Sequence, residues 1–355
     1  MTTMTTLSAD PLRQPSPHLL PTLEEPTISR SISQSSCDCE GVSFESLNAT
    51  ELIDNSTRQY NVVRLACGVT VHVGENVLES YPGILDVLNY DILGCVSVLP
   101  GSTHKLVRRT KIWINHSYAY GPLSNPTRVW HSTAHHYPGW LLCVRDKSEK
   151  ANSIEIYNAG EYQRMRLHYN GHGLLLHELC HIIHQQVLPG GLDNAMVIEF
   201  HKVAKESGKY SKVLRRDWAL KQVDTDMAYC LVNHKEFFSE ISVAYLADCY
   251  YGVEKEGTTV MAKCSPPFIS IDVIERIQQQ AEDSMWKSCT NACGVTSKSN
   301  HPVMLVPHCS KFFPFTKDQL RRYDPRVFNC FVKLWEFIES WEDAEGKGCD
   351  WCDWF

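Results

Sequence analysis

The stretch His177-Glu178-Leu179-Cys180-His181 lies within an apolar run that extends from residue 173 to residue 184. No helix-breaking residue occurs before Pro189-Gly190-Gly191, so the pattern predicts a buried helix that ends there. Residues four positions apart share one face of a helix, and two imidazoles at that spacing can bind one zinc ion. Glu178 follows about 100° further round the helix, where its carboxylate can flank a water molecule at the metal. The five residues therefore supply two candidate ligands and a general base.

The same pentapeptide also occurs by chance, with two histidines that simply lie on a buried helix face. A carboxylate inside so apolar a run is costly unless it is paired or close to a metal, which favours the metal site. His184 shares the histidine face on a regular helix. It is not expected to be a ligand, because a straight helix does not bring three residues over this spacing to one ion and no glycine bends the chain there. We expect His184 to be a hydrogen-bonded core histidine.

Composition and charge limit the class of protein. The chain has 355 residues, of which 43% are hydrophobic, so it can bury a substantial core in one large domain or two smaller ones. Its net charge is −7 and it has no long basic run, which disfavours nucleic acid and anionic membrane surfaces as partners. No run of apolar residues is long enough to predict a membrane span. The oligomeric state stays open.

The chain is expected to contain one catalytic domain between two tails. The first 40 residues are rich in Ser, Thr and Pro, and a disordered tail is predicted over residues 1–57. The tail has no apolar segment of the signal-peptide type, so we expect an intracellular, cytoplasmic protein with mostly reduced cysteines, with secretion as the alternative. The domain is predicted over residues 58–343, with a cysteine-containing insertion at about 254–312. Residues 344–355 are expected to form an acidic, aromatic tail.

Strand patterns are concentrated in the N-terminal half of the predicted domain. β-rich runs at residues 62–65 and 69–73 flank Cys67-Gly68 and predict a hairpin, and another strand is expected at 110–115. Residues 153–157 alternate apolar with polar. This strand is expected either at the sheet edge, where a peptide substrate adds by backbone hydrogen bonds, or as an ordinary half-buried strand. Residues 115–150 are predicted to be loop.

Helical patterns dominate the second half. They occur at about 193–207, 234–249 and 271–286, with an earlier one at 76–95. A capping box at Thr316 and the pair Asp324-Pro325 predict the starts of two more helices. The predicted fold class is therefore α+β, a small N-terminal sheet followed by a helix-rich half that carries the histidine helix.

A later acidic helix offers a third metal ligand. Glu236 and Glu240 lie one helical turn apart, next to Phe237-Phe238. If Glu236 binds the metal, Glu240 on the same face can accept a hydrogen bond from the second ring nitrogen of a ligand histidine. The alternative is a pair of solvated glutamates, which the neighbouring phenylalanines disfavour.

The pattern Tyr229-x-x-x-Asn233-x-x-Glu236-Phe237-Phe238-x-Glu240, after H-E-x-x-H, resembles the gluzincin metallopeptidases of the anthrax lethal factor and Mlc titration factor type. The resemblance is specific over about residues 170–250. It implies a zincin-like fold and one catalytic Zn²⁺ held by His177, His181 and Glu236. By the same match Glu178 is the general base, Tyr229 stabilises the oxyanion, and Glu240 and Asn233 support the ligands.

Two features depart from the family pattern. The 54 residues between His181 and Glu236 include a charged stretch near residues 215–218, and the segment from about 254 to 309 has no counterpart. Four cysteines in or near that segment offer either a second, structural zinc site or scattered thiols, the simpler interpretation: Cys264, Cys289, Cys293 and Cys309.

The sequence predicts a zinc-dependent metallopeptidase that acts on a peptide or protein substrate. The alternative is a catalytically inactive protein of zincin fold that binds a protein partner. The complete set of ligands, base and tyrosine disfavours this alternative, because loss of activity usually removes the base first.

Overall fold

The first two β-rich runs form the predicted hairpin. β1 (Tyr60–Arg64) pairs antiparallel with β2 (Thr70–Gly74), with Val63 opposite Val71. Gly68 lies in the connecting turn with a φ of 82°, a left-handed conformation that glycine adopts without a steric penalty from Cβ. This hairpin forms one side of a larger sheet.

A computed structural model describes residues 51–169, 171–217, 222–247 and 308–342 of the chain. Residues 51–57, which were predicted to belong to the tail, are folded: Leu52 bridges to Pro122, and the buried Asn55 donates a hydrogen bond to the carbonyl oxygen of Ala119. The predicted start at residue 58 was too late, because composition does not reveal such long-range contacts. Outside the described residues lie the rest of that tail, the predicted insertion up to residue 307, the helix predicted at 271–286 and the predicted tail at 344–355.

Nine strands occur in the described ranges. After the hairpin they are β3 (Ile112–Ile114), β4 (Tyr118–Tyr120), β5 (Thr127–Val129), β6 (Ser132–His135), β7 (Ser153–Ile156), β8 (Val213–Asp217) and β9 (Gln222–Asp226). Five of them form a mixed sheet of order β1-β2-β3-β7-β6, in which β2, β3 and β7 are parallel and β6 runs antiparallel to β7. β4 with β5 and β8 with β9 form two separate antiparallel hairpins.

Ten α-helices occur in the described ranges. They are α1 (Val77–Ser80), α2 (Ile84–Val98), α3 (His104–Arg109), α4 (Pro138–Cys143), α5 (Ala159–Met165), α6 (Gly173–Val187), α7 (Ala195–Glu206), α8 (His234–Leu246), α9 (Lys317–Tyr323) and α10 (Pro325–Ser340). The described chain is therefore α+β, a small mixed sheet near its start and a helix-rich remainder. Of these helices, none has both the length and the apolar character that crossing a membrane requires.

The cap signals placed two helix starts correctly. Side-chain oxygens of Thr316 and Asp324 accept hydrogen bonds from the backbone N–H of Gln319 and Val327, at the starts of α9 and α10. The helix predicted over 76–95 is instead divided into α1 and α2 at Pro82-Gly83. Proline removes a backbone donor and restricts the preceding residue, which accounts for the break.

The predicted loop at residues 115–150 was wrong in part. It contains β4, β5 and β6, which are only three or four residues long, and the six-residue α4. Elements this short do not complete enough periods for their pattern to be visible in the sequence.

Both expectations for the strand at 153–157 were wrong. β7 lies between β3 and β6, and all four of its residues are buried. The two edges of the sheet are β1 and β6. A strand's own sequence does not show which neighbours pair with it, so the edge position was decided by tertiary structure.

The two faces of the sheet are buried against different partners. Ile154 and Ile156 of β7 point into the main hydrophobic core with the apolar residues of α6. On the opposite face Lys150 is fully buried, with Nζ 2.8 Å from Asp146 Oδ2 and 2.6 Å from Glu155 Oε1. The other oxygen of Glu155 lies 2.7 Å from Nε2 of His135 on β6. This network ties the edge strand to β7.

Candidate metal centre

Two helices that pack against each other bring the predicted ligands together. His177 and His181 lie one turn apart on α6, and both are buried. On α8 the side chain of Asn233 accepts hydrogen bonds from the backbone N–H of Lys235 and Glu236, both 2.9 Å long. Asn233 is therefore the N-cap of α8. The cap fixes the first turn of α8 and places Glu236 opposite the two histidines.

The three ligand atoms form a small triangle. The Nε2 atoms of His177 and His181 are 3.2 Å apart, and they lie 3.1 and 3.2 Å from Oε2 of Glu236. Tetrahedral zinc with bonds of about 2.0–2.1 Å holds neighbouring ligand atoms about 3.3 Å apart. Within the described residues this is the one group of three or more His, Cys, Asp or Glu side chains with such spacing. The donor set and its geometry fit one zinc ion.

Glu240 contacts the second ring nitrogen of His177, the one that does not face Glu236. Its Oε2 lies 3.1 Å from Nδ1 of His177 and accepts a 3.3 Å hydrogen bond from the hydroxyl of Tyr169. Its Oε1 accepts a 2.6 Å hydrogen bond from Oγ of Ser310. A carboxylate at Nδ1 leaves Nε2 free to bind a metal and fixes the ring orientation. Tyr169 and Ser310 were missed in the sequence, because each lies about 70 positions from Glu240.

Burial and charge set the protonation of the ligands without metal. Burial opposes charge on His177, but its contacts with Glu236 and Glu240 raise the pKa of its imidazole well above the usual value. Burial would raise the pKa of Glu236, but His181 and His177 hold it far below the usual range. Metal binding must displace the proton of His177, so metal affinity should fall at low pH.

Glu178 lies beside the ligand triangle without belonging to it. The side chain is buried, and this burial raises the pKa of its carboxyl group, partly offset by the charges of His177 and His181. A carboxylate with a raised pKa is a better proton acceptor near neutral pH. The position and the pKa both suit a general base.

Tyr229 lies in a short turn, Tyr229–Leu231, that leads into α8. Its side chain is 37% exposed, and its ring centroid lies 6.1 Å from that of His177. The charge of Glu236, followed by burial and the charge of Glu178, raises the pKa of the phenol. The hydroxyl therefore stays protonated and can donate a hydrogen bond.

His184 is buried as expected but is not hydrogen-bonded. Its exposure is 0%, and neither ring nitrogen has a hydrogen-bond partner within the described residues. Its ring packs against that of Phe238 at 4.7 Å, and burial lowers its pKa to about 2. It does not join the ligand triangle. The expectation of a hydrogen bond was wrong: the ring lies against Phe238 and near the ring of His234, 6.4 Å between centroids, without bonding to either.

His136 is a further residue at the site that the sequence did not indicate. It follows the edge strand β6, and its ring centroid lies 5.8 Å from that of His181. Gln185 of α6 holds it: Nδ1 of His136 is 3.0 Å from the side-chain oxygen of Gln185, whose amide donates to the His136 carbonyl. Burial lowers the pKa of His136 to about 3, so the ring is neutral at physiological pH. Residues 115–150 were predicted to be loop, so no contact between His136 and His181 was expected.

Of the four cysteines that offer a second zinc site, the described residues include only one. Cys309 is buried, and Cys264, Cys289 and Cys293 lie outside the described residues. Comparison of the chain with family models, with curated proteins and with solved structures found no match. The geometry and chemistry of the candidate metal centre are therefore the basis for inferring a function.

Proposed function

We propose that the protein is a zinc-dependent metallopeptidase of the gluzincin type, with a zincin-like fold and a peptide or protein substrate. The observation that carries the proposal is the triangle of His177, His181 and Glu236, whose ligand atoms lie 3.1–3.2 Å apart. A buried carboxylate and a protonated phenol stand beside it. A hydrogen-bonded cluster without metal needs neither of these additional groups.

Each residue has a chemical task in this proposal. His177, His181 and Glu236 hold the zinc ion, which when bound acts as a Lewis acid and activates water for attack on a carbonyl. Glu178 accepts the proton of the attacking water and passes it to the leaving amine. Tyr229 donates a hydrogen bond to the developing oxyanion, a contact worth about 2.7–4 kcal/mol when one such donor is removed.

The edge strand offers a place for the peptide. β6 has β7 on one side and no strand on the other within the described residues. His136 follows β6 and lies next to His181, so the open edge runs towards the metal centre. An extended peptide can add to such an edge by backbone hydrogen bonds. In this proposal a peptide bound along the edge has its scissile bond near Glu178 and Tyr229.

The competing hypothesis is an inactive protein of the same fold that binds a partner. The retained general base argues against it, because a buried carboxylate beside the ligands is costly to keep without a use. Both hypotheses allow zinc binding, so zinc content alone does not separate them.

Substitution Glu178→Gln separates the two. We expect the variant to retain about one zinc per chain and to lose hydrolysis of a proteome-derived peptide mixture by at least about 10²–10⁴-fold, the usual contribution of a general base. New peptide termini are counted by mass spectrometry, and metal content by elemental analysis. The exposed Glu199 on α7 provides the control, Glu199→Gln, which should match the wild type. Full hydrolysis by Glu178→Gln, or wild-type protein that takes up no zinc, would refute the proposal.

A further inference from the structure

Three consecutive residues late in the chain contact both ligand helices. We call His308, Cys309 and Ser310 the clasp. Nε2 of His308 lies 3.1 Å from the carbonyl oxygen of Val243 on α8. The backbone N–H of Cys309 donates a 3.0 Å hydrogen bond to the carbonyl of Tyr169, just before α6. The clasp thus joins the start of the histidine helix to the helix that carries Glu236.

The approach of the clasp to α6 leaves little room for a side chain at the first residue of that helix. A Cβ atom at Gly173, the first residue of α6, would lie 3.2 Å from the carbonyl oxygen of Cys309 and 3.3 Å from Cβ of His308. The rings of His308 and His172 are also in contact, with centroids 4.6 Å apart. The clasp is therefore packed tightly against α6.

Ser310 directs its hydroxyl at the carboxylate behind the metal centre. Its Oγ donates a 2.6 Å hydrogen bond to Oε1 of Glu240 and accepts a 3.2 Å hydrogen bond from the backbone N–H of Phe312. The N–H of Phe312 occupies an acceptor site of the hydroxyl, so the hydroxyl proton is directed to Glu240. Ser310 and Glu240 are 1% and 2% exposed, so water does not replace this bond at low cost.

We propose that Ser310 is a positioning residue of the metal centre. It fixes the Glu240 carboxylate, and Glu240 in turn holds the imidazole of His177 with Nε2 directed at the metal. The second donor to Glu240 is the Tyr169 hydroxyl, at the longer distance of 3.3 Å, so it replaces Ser310 only in part. This inference rests on the proposed zinc function, because it assigns Ser310 a task only if His177 is a ligand.

The test measures zinc affinity of the full chain by competition with a chromogenic chelator. Ser310→Ala should weaken affinity by about 3- to 10-fold, less than the about 10–100-fold expected when the carboxylate itself is removed. Ser239→Ala is the matched control. Ser239 is also fully buried and lies next to Glu240 on α8, but its hydroxyl has no hydrogen-bond partner within the described residues. This variant should keep wild-type affinity.

A double variant distinguishes positioning from a general loss of packing. If Ser310 acts through Glu240, then Ser310→Ala has no further effect on zinc affinity in the Glu240→Ala background. A packing role predicts additive losses instead. Should Ser310→Ala fail to fold, Ser310→Cys keeps a side chain there but replaces the hydroxyl by a weak thiol donor, and the same loss of affinity is expected.

The outcomes separate this inference from the proposed function. Wild-type protein that binds no zinc refutes the metal centre and the task of Ser310 with it. Wild-type affinity in the folded Ser310 variants, or additive losses in the double variant, overturns the positioning role alone and leaves the metallopeptidase proposal standing.

Discussion

Replacement of His184 by leucine should stabilise the protein without affecting its metal centre. His184 is completely buried on α6, and both ring nitrogens lack a hydrogen-bond partner within the described residues. A buried polar group without a partner costs about 1–3 kcal/mol. Leucine is apolar and of similar size, so we expect His184→Leu to raise the free energy of unfolding at pH 7 by about 1–3 kcal/mol.

The pH dependence of the free energy of unfolding gives a second expected effect of His184→Leu. Burial lowers the pKa of His184 to about 2 from its ordinary value of 6.5. The unfolded chain therefore binds a proton below pH 6.5 that the folded chain does not, and wild-type stability falls as the pH decreases. For this one group the loss between pH 7 and pH 4.5 is roughly 2.5 kcal/mol. His184→Leu should remove that part of the decrease in the free energy of unfolding at low pH.

Urea unfolding at pH 7 and at pH 4.5 measures both effects, and elemental analysis measures zinc at pH 7. His184→Asn is the control, because it keeps an unpaired amide in the core and should destabilise the fold. A leucine variant that is clearly less stable than wild type at pH 7 would refute the reasoning about unpaired nitrogens. Loss of zinc in a folded leucine variant would show that His184 is a ligand after all.

The other predictions concern the metal centre and the sheet. Glu236→Ala should lose most of the zinc, whereas Glu240→Ala should weaken zinc affinity by only about 10–100-fold; equal losses in a chelator competition would contradict the assignment of ligand and support. Tyr229→Phe should lower kcat for peptide hydrolysis by about 10²–10³ with KM and zinc content little changed, and full kcat would end the oxyanion role. Burial favours a protonated Glu155, but the charges of Lys150 and His135 hold its pKa at about 2 instead of 4.5. Its contribution is complete above pH 4.5 and is lost as the pH falls towards 2, so Glu155→Gln should be less stable at pH 7 and show a smaller loss over that window in acid unfolding curves.

Much of the candidate site was visible in the sequence because its parts are local. His177, Glu178 and His181 are spaced by one helical turn, and an apolar run around them predicts a buried helix. Glu236 and Glu240 have the same spacing beside Phe237-Phe238, and Asn233 stands where an N-cap is expected. Helical geometry alone fixes which of these side chains share a face.

The sequence also determined the fold class and several helix starts. Hydrophobic periodicity indicated a short sheet before a helix-rich half, and the cap signals at Thr316 and Asp324 were read correctly because a cap bonds to residues two or three positions away. Elements of three or four residues were not predicted, because they span too few residues to show a recognisable period.

Only the tertiary structure decided which distant residues meet. Strand order placed β6 rather than β7 at the sheet edge, and this brought His136 next to His181. Ser310 reaches Glu240 across 70 positions of chain. Within the described residues His184 has no hydrogen-bond partner, and its ring packs against Phe238 of α8. Local patterns record what one element buries, but they do not record which other element covers it. The candidate ligands and their neighbours on the same two helices could therefore be predicted from the chain, whereas the contacts of His136 and Ser310 with the site could not.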